Sequence, residues 1–312
     1  MTLPEAIAGV HWRSGRADDV DVLTAVQAAA DLVDEPLHVI TRSDVAQTLS
    51  GLDPAAAVVV GEQEGVPVAM GMLFRPGAGP VRVRGAVVPS ARGRGIGRAL
   101  LRQQIDRAVA TQPDAPALGL RSVGGGGVAG LARRFDFHEE RVFLTMRRDL
   151  GRPVVAVPLA DGLRSMPLEP AMDERLRLVK NEVFRDHWNG LADSPEEWRA
   201  RTLGPRLHRG LTRVALDDRG GIAGFVVVWR TREHPTQAYV PLVGTVRARR
   251  GCGVARSLLA EVLRTAAAEG FREAQLDVDA ASPTGAGRVY EAVGFAEVQR
   301  ATVWQRPLAA RL

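Results

Sequence analysis

Residues 91–100 read Ala91-Arg-Gly-Arg-Gly-Ile-Gly-Arg-Ala-Leu100, and residues 249–258 read Arg249-Arg-Gly-Cys-Gly-Val-Ala-Arg-Ser-Leu258. Each stretch follows a run that is typical of a β-strand and precedes a run that is typical of an α-helix. The two stretches lie about half of the 312-residue chain apart, so the repeat accounts for the whole sequence and not for a local coincidence. The sequence therefore predicts two copies of one structural unit.

The length supports a two-domain organisation. Two units of about 150 residues match the commonest domain size, and each is long enough to bury an apolar core. Residues 151–158 include Pro153 and Pro158 and separate the last strand expected for the first unit from the first strand of the second. The expected boundary lies at residue 152, which gives domains of residues 1–152 and 153–312.

The composition excludes several classes of protein. With 46% hydrophobic and 25% charged residues, the chain matches globular proteins and no disordered class. Its formal net charge of +5 comes almost wholly from scattered arginines, with Lys180 as the only lysine, so no nucleic-acid partner is predicted. The N-terminus lacks a signal-peptide pattern, and no apolar run is long enough to cross a membrane. We expect a cytoplasmic protein without a membrane partner; its oligomeric state stays open.

Hydrophobic periodicity gives the same order of elements in both halves. In the first half it predicts strands and helices over residues 10–13, 18–34, 43–49, 56–62, 66–74, 81–88, 96–110 and 117–122. In the second half it predicts them over residues 163–168, 173–188, 195–203, 212–216, 222–230, 237–246, 254–269, 273–278, 285–293 and 296–305. The fold class is therefore α/β.

The repeated glycine loops have a chemical interpretation. Glycines let successive backbone amides point the same way because no Cβ obstructs them, and the helix that follows adds partial positive charge. A pyrophosphate suits such a loop. A tight strand-to-helix connection is the alternative, but recurrence in the same context favours binding. A nicotinamide site is disfavoured because the strand before each loop is the fourth of its unit and no βαβ pattern surrounds it.

Two motifs carry a resemblance to a known family. Arg92-x-x-Gly95-x-Gly97 and Arg250-x-x-Gly253-x-Ala255 resemble the Gln/Arg-x-x-Gly-x-Gly/Ala motif of the GCN5-related N-acetyltransferases (GNAT). The element order is similar to that of double-domain members over nearly the whole chain. The resemblance implies two tandem GNAT-like domains, each a mixed central sheet flanked by helices, and acetyl-CoA as co-substrate.

By that resemblance, the loop amides hold the pyrophosphate of acetyl-CoA, and the backbone at Val88 and Val246 pairs with the pantetheine arm. The implied binding residues of the loops are Val88, Arg92, Gly93, Arg94, Gly95, Ile96, Gly97 and Arg98 in the first unit, and Val246, Arg250, Gly251, Cys252, Gly253, Val254, Ala255 and Arg256 in the second. Residues 276–286 resemble the Asp-x-x-Asn-x-x-Ala stretch of the family, with Ser282 in place of the asparagine. Ser282 is therefore expected to contact the CoA arm or to cap the next helix, more weakly than asparagine.

The two copies differ at the position of the family's general acid. Residues 289–295 read Val-Tyr-Glu-Ala-Val-Gly-Phe and resemble its x-Tyr-Glu-x-x-Gly-Phe segment, which implies that Tyr290 protonates the departing CoA thiolate. Transfer from a tyrosine of pKa ~10 to a thiol of pKa ~8.5 is uphill by only about 2 kcal/mol. A purely packing tyrosine is the alternative. The first unit has Ala132 or Arg133 there, so we expect it to bind CoA at most and the second unit to carry the chemistry.

A general base is harder to identify. Relatives often place a carboxylate on the fourth strand, but residues 237–246 contain none; the reactive candidates near it are Tyr239, Thr245, Glu233 and His234. The predicted helix over residues 173–188 offers Glu182 and Asp186 four residues apart on one face, and His187 titrates near neutrality. We predict Glu182 and His187 as catalytic candidates. The alternative is that this stretch packs the core through Phe184 and Trp188.

The remaining reactive residues indicate no further chemistry. His11, His38, His138 and His208 have no metal-ligand spacing, so no metal is predicted. Cys252 has no histidine nearby in sequence, and the family mechanism is direct attack. The prediction is an acetyl-CoA-dependent N-acetyltransferase that acts on the amine of a small molecule. The alternatives are a CoA-binding regulatory or scaffold protein, or an acyltransferase that uses a larger acyl-CoA or a protein amine.

Overall fold

The structure, a computed structural model, describes residues 2–34, 40–75, 79–124, 126–185, 187–188, 192–230, 234–282 and 284–308. The chain forms two compact units. The first comprises Met1–Val142 and Arg300–Leu312, and the second comprises Phe143–Gln299.

The first half of the chain alternates strands and helices. Its elements are β1 (His11–Ser14), α1 (Val20–Asp34), α2 (Arg42–Ser50), α3 (Pro54–Ala57), β2 (Val58–Gln63), β3 (Val66–Phe74), β4 (Val81–Val87), α4 (Ile96–Thr111), β5 (Ala117–Val123), α5 (Gly127–Arg134) and β6 (His138–Asp149). Strands β4 and β5 are parallel, whereas β1 to β4 pair antiparallel, so the sheet is mixed.

The second half repeats this order. Its elements are β7 (Leu163–Pro167), α6 (Asp173–Val183), α7 (Pro195–Arg201), β8 (Arg213–Asp217), β9 (Ile222–Arg230), β10 (Gln237–Thr245), α8 (Val254–Ala268), β11 (Glu273–Asp279), α9 (Ala286–Glu291) and β12 (Ala296–Pro307). Strands β10 and β11 form its parallel pair.

The two halves exchange their last strands. The end of β12 pairs antiparallel with β5 of the first unit, with Ala301 opposite Val123, while β6 pairs with β11 of the second unit, with Phe143 opposite Asp279. The strand orders are β1-β2-β3-β4-β5-β12 in the first unit and β6-β11-β10-β9-β8-β7 in the second. The observed division therefore differs from the contiguous domains expected with a boundary at residue 152. Pairing between distant strands leaves no trace in local sequence patterns.

Each face of the second sheet has its own apolar core. Leu258 and Leu263 of α8 are fully buried against one face, which includes Val226. Leu176 of α6 and Phe225 of β9 are fully buried on the other face. Full burial of such side chains is worth about 1.5 to 3 kcal/mol each. The sheet is thereby covered on both faces, and the functional groups lie at its central strands.

Helix α6 ends earlier than predicted. It stops at Val183 instead of residue 188, and the amide of its C-cap residue, Phe184, donates to the Lys180 carbonyl at 2.9 Å. Lys180 Nζ lies 2.5 Å from Asp193 Oδ2, and Asn181 Oδ1 accepts from the Asp193 amide at 2.9 Å. Asp186 lies outside the described residues, so the prediction that it shares a helical face with Glu182 stays a prediction; His38 and Glu233 lie outside them as well.

Candidate functional site

The glycines of the two loops adopt the left-handed backbone conformation. Gly93 and Gly95 have φ of 77° and 87°, and Gly251 and Gly253 both have φ of 76°. A Cβ added to Gly93, Gly251 or Gly253 would meet no atom within 4 Å. Backbone conformation, not crowding, therefore requires glycine at these positions, and the space beside the loops is open.

The helices after the loops begin with unpaired amides. The first helical bond of α8 runs from the Ser257 amide to the Gly253 carbonyl at 2.9 Å, and that of α4 from Ala99 to Gly95 at 3.0 Å. Neither N-cap glycine supplies a side-chain cap. The amides that precede these bonds belong to Gly253, Val254, Ala255 and Arg256 in the second unit, and to Gly95, Ile96, Gly97 and Arg98 in the first. Four such donors at the positive end of a helix fit a pyrophosphate.

The strands enter the two loops in the same way. Val88 and Val246 both have φ −57° and ψ 144°. Their amides donate to the adjacent strand of their own sheet, Val88 to Val68 at 2.9 Å and Val246 to Ala223 at 3.0 Å. These two N–H groups are thus already bonded within the sheet, and the expectation that the backbone at Val88 and Val246 pairs with a pantetheine arm stays a prediction.

The motif arginines of the two loops donate hydrogen bonds to the ends of the preceding strands. Arg250 Nε donates to the Thr245 carbonyl at 3.4 Å, and Arg92 Nε donates to the Val87 carbonyl at 2.9 Å. The guanidinium of Arg92 also binds both carboxylate oxygens of Asp34, at 2.7 and 2.9 Å. The motif arginines therefore hold the strand end and the loop together. Cys252, in the second loop, is exposed.

A gap opens between the central strands of the second unit. Strands β10 and β11 pair only through Gln237–Tyr239 and Glu273–Gln275, although both strands continue further. Strand β10 bulges between Tyr239 and Leu242, where Pro241 has no N–H to donate. The bulge lies where the pairing stops, so the backbone edges of both strands beyond it face the gap.

The first unit lacks this bulge. The register between β3 and β4 is regular from Ala69 opposite Val87 to Phe74 opposite Arg82. Strands β4 and β5 also pair only briefly, at Val81 and Arg82. Both units thus have a glycine loop and a parallel strand pair that separates after a few residues. Only the second unit has a bulge in its fourth strand.

Tyr290 is buried in α9. The residue is 8% exposed, and its ring packs edge-on against Phe295 at a centroid distance of 6.2 Å. Burial raises the pKa of Tyr290 to about 12. The hydroxyl therefore keeps its proton at neutral pH, as a proton donor must. Transfer to a thiolate of ordinary pKa is then uphill by about 5 kcal/mol, more than the ordinary tyrosine pKa suggests.

The first unit has alanine at the equivalent place. The Tyr290 carbonyl accepts from the Phe295 amide at 3.1 Å, and the Ala132 carbonyl accepts from the Phe137 amide at 3.0 Å. The same turn thus follows both helices and aligns Ala132, not Arg133, with Tyr290. Ala132 is fully buried and brings no hydroxyl group.

Ser282 does not cap the helix that follows it. Its Oγ lies 3.1 Å from Thr284 Oγ1, and its amide donates to the Asp279 carbonyl at 3.0 Å. The N-cap of α9 is Gly285, with φ of 64°. The expected capping role of Ser282 is therefore wrong, and its expected contact with the CoA arm stays a prediction.

Two catalytic candidates, Glu182 and His187, lie at and just beyond the end of α6. Glu182 is exposed in the last turn of the helix. His187 follows the helix end, and its ring lies 4.5 Å from that of Phe184. The Trp188 ring lies 5.9 Å from that of Phe143. These contacts favour the packing alternative for this stretch.

Sequence reasoning missed a polar cluster on the central strands. Thr145 Oγ1 donates to Asp277 Oδ1 at 2.6 Å, and the Tyr239 hydroxyl donates to Asp277 Oδ2 at 3.4 Å. These residues come from β6, β11 and β10, and only the strand pairing brings them together. The one available signal was an aspartate between the buried residues Leu276 and Val278.

Among the described residues, no group of three histidine, cysteine, aspartate or glutamate side chains could hold a metal ion. None of the described helices is long and apolar enough to cross a membrane.

Comparison with known proteins agrees with these features. The model of the acetyltransferase (GNAT) family matches residues 27–117 and 175–295. A mycothiol acetyltransferase of Salinispora arenicola is 30% identical over 300 residues, which cover 92% of each chain. A mycothiol acetyltransferase of Thermomonospora curvata is 34% identical over 230 residues, 71% of this chain and 72% of the relative.

Solved structures show the same fold. A GCN5-related N-acetyltransferase from Sphaerobacter thermophilus has a TM-score of 0.80 at 24% identity and covers 100% of this chain and 98% of its own. A tandem GNAT protein from the clavulanic acid biosynthesis pathway has a TM-score of 0.71 at 23% identity and covers 97% of this chain and 100% of its own. The resemblance drawn from the glycine loops is thereby confirmed: the chain belongs to the acetyltransferase (GNAT) family and has its tandem architecture.

Proposed function

We propose that the second unit transfers the acetyl group of acetyl-CoA to the amine of a small molecule. The observation that carries this proposal is the row of unpaired amides from Gly253 to Arg256, next to the gap between β10 and β11. The amides suit the pyrophosphate, and the gap suits an extended arm that uses backbone hydrogen bonds. Open space beside Gly251 and Gly253 supports the fit.

The chemistry follows from residues of the second unit. Backbone amides near the bulge of β10 polarise the thioester carbonyl. The acceptor amine attacks directly, and Tyr290 gives its proton to the departing thiolate. The first unit has the same loop but a regular β4 and Ala132, so its role in this proposal is to bind acetyl-CoA without transfer.

The choice of acceptor rests on the relatives. Those with the matches reported above are named mycothiol acetyltransferases. An acceptor that carries both an amine and a thiol is therefore the first to try with this chain. A larger acyl donor and a protein amine are the competing substrates.

The test measures binding and turnover separately. Calorimetry gives the affinity for acetyl-CoA, and mass spectrometry quantifies the acetylated product over a panel of aminothiols, amino sugars, simple amines and a peptide with a free N-terminus. The product is detected directly because a thiol reagent, which would detect the released CoA, also reacts with a thiol on the acceptor. A reaction without protein corrects for spontaneous acetyl transfer to aminothiols.

The expected result is acetyl-CoA binding with turnover of a small amine. Binding without turnover on any member of the panel would favour the regulatory or scaffold alternative. Acetylation of the peptide alone would favour a protein acceptor.

A further inference from the structure

Asp277 occupies a special place on β11. The parallel pairing with β10 ends at Gln275, so Asp277 is the second residue beyond it, at the mouth of the gap. Its neighbours in space are Thr145 on one side and Tyr239 on the other, at 2.6 and 3.4 Å. A carboxylate is thus held by two hydroxyl donors where the two strands begin to separate.

Asp277 and Tyr290 lie on opposite faces of the sheet. Leu276 and Val278, the neighbours of Asp277 along β11, are buried in the same core cluster as Tyr290 and α8. Side chains alternate along a strand, so Asp277 projects from the other face. That face also carries Tyr239, whose ring lies 6.0 Å from Trp229 in the core cluster of α6. Tyr290 therefore belongs to the core on one face of the sheet, and the Asp277 carboxylate projects from the other face.

A hydrogen-bond network fixes the closed end of the gap. Gln237 Nε2 donates to Glu273 Oε1 at 2.8 Å and to Gln275 Oε1 at 3.2 Å. Arg147 Nη2 donates to Gln275 Oε1 at 3.4 Å. This network keeps β6, β10 and β11 together directly before Asp277. The carboxylate is therefore attached to a rigid part of the sheet.

We propose that Asp277 takes the proton from the acceptor amine. This inference rests on the proposed function. Strand β10 has no carboxylate, and Asp277 on the next strand reaches the Tyr239 hydroxyl of β10. Glu182 is exposed on α6, and the ring of His187 stacks on Phe184, so neither is placed as well for this proton.

The step balances in atoms and electrons. The amine nitrogen forms a bond to the acetyl carbon, and the bond from that carbon to the CoA sulfur breaks with its electron pair on sulfur. The amine proton goes to Asp277, and the thiolate takes the proton of Tyr290. An amine that has added to a carbonyl is far more acidic than the free ammonium ion, so a carboxylate is a sufficient base at this point.

The first experiment compares two carboxylate-to-amide variants of the full chain. Asp277→Asn removes the proton acceptor with little change in size, and we expect kcat to fall by about 10² to 10⁴-fold while acetyl-CoA affinity stays within about threefold. Asp218→Asn is the control for the same carboxylate-to-amide change, at an exposed position in the turn after β8 and outside both the network and the gap. It is expected to keep the rate within about threefold.

A second readout separates chemistry from structure. Added formate is expected to restore part of the rate of Asp277→Ala, because a small carboxylate can enter the space that the side chain leaves. Asp277→Asn is expected to lose the acid limb of the wild-type pH profile of kcat/KM.

Three results would overturn the inference. The first is an Asp277→Asn rate within threefold of an active wild type. The second is a lost rate without formate rescue and with an unchanged pH profile, which indicates a structural role. The third is the absence of turnover in the wild type itself, which overturns the proposed function as well and is thereby distinguishable from the other two.

Discussion

Burial determines the protonation state of Tyr290. Its ring packs in the core with Phe295, and desolvation disfavours the phenolate, so the pKa rises to about 12. The same burial that keeps the proton in place makes its transfer more costly. The proposed acid role therefore requires the thiolate to form close to the hydroxyl.

The kinetic prediction at this residue concerns Tyr290→Phe. If the hydroxyl protonates the thiolate, its removal lowers kcat by about 10² to 10⁴-fold, or about 3 to 5 kcal/mol of barrier. Acetyl-CoA affinity and thermal stability should persist because the ring remains. Steady-state kinetics with an accepted amine measures the effect. A rate within threefold of wild type would leave Tyr290 with a packing role only.

Alkaline unfolding gives a second prediction for Tyr290. Its folded pKa, about 12, exceeds the unfolded value of about 10, so the stabilisation is fully present below pH ~10 and is lost as pH rises towards ~12. Over that range the wild type should lose about 2 to 3 kcal/mol of unfolding free energy relative to Tyr290→Phe. Urea titrations of both proteins measure this difference. Tyr239 is the one other tyrosine and cancels in the comparison. Parallel pH dependences would contradict the burial of the hydroxyl.

Among the elements, those with strong local patterns were predictable. The strands over residues 66–74 and 222–230 agree with β3 and β9 to the residue. Their apolar runs are buried on both faces, and flanking turn residues mark their ends. The end of α6 at Val183 was not predictable, because apolar residues continue the sequence pattern through Phe184 and Trp188.

The candidate site also has a part that the sequence predicted and a part that it did not. The glycine loops are contiguous in sequence, and their left-handed residues demand glycine, so the pattern alone revealed them. The cluster of Thr145, Tyr239 and Asp277 spans three strands from two halves of the chain, and no sequence spacing predicts it.

Strand β12 comes from the second half of the sequence, and its end belongs to the first unit. Its Trp304 is 2% exposed in the core of the first unit, where its Nε1 donates to Ser122 Oγ at 2.9 Å and Arg133 lies 5.0 Å from the ring centroid. Truncation of a buried tryptophan to alanine typically costs about 3 to 5 kcal/mol. The first unit therefore depends on the end of the chain.

This dependence predicts the behaviour of a fragment of residues 1–152. The fragment lacks β12, so β5 loses its antiparallel partner and the core loses Trp304. We expect no cooperative urea unfolding from the fragment alone, and recovery of a transition when a peptide of residues 296–308 is added. The same peptide with Trp304→Ala is the control and should bind far more weakly. Cooperative unfolding of the bare fragment would contradict the exchange of strands.

At the scale of the whole molecule, the two copies of the unit share a glycine loop but differ in the residues around it. Both retain the glycine loop and the start of the following helix. The bulged fourth strand, the buried tyrosine and the aspartate beside the gap occur in the second unit. The first unit has a regular fourth strand and Ala132. In the proposed function, the second unit therefore binds and reacts, whereas the first unit only binds.

Matched substitutions in the two loops test this division most directly. Gly95→Asp and Gly253→Asp each place a negative charge in a proposed pyrophosphate site and a side chain at positive φ. Gly220→Asp is the control for backbone strain, because Gly220 has φ of 77° and open space in a turn outside both loops. Acetyl-CoA stoichiometry by calorimetry and turnover are measured on all three variants and the wild type.

We expect two acetyl-CoA sites per wild-type chain and one in each loop variant, with the affinity of the substituted site lowered more than about tenfold. Gly253→Asp should abolish turnover, whereas Gly95→Asp and Gly220→Asp should retain it. Turnover that survives in Gly253→Asp, or disappears in a folded Gly95→Asp, would contradict the assignment of the reaction to the second unit.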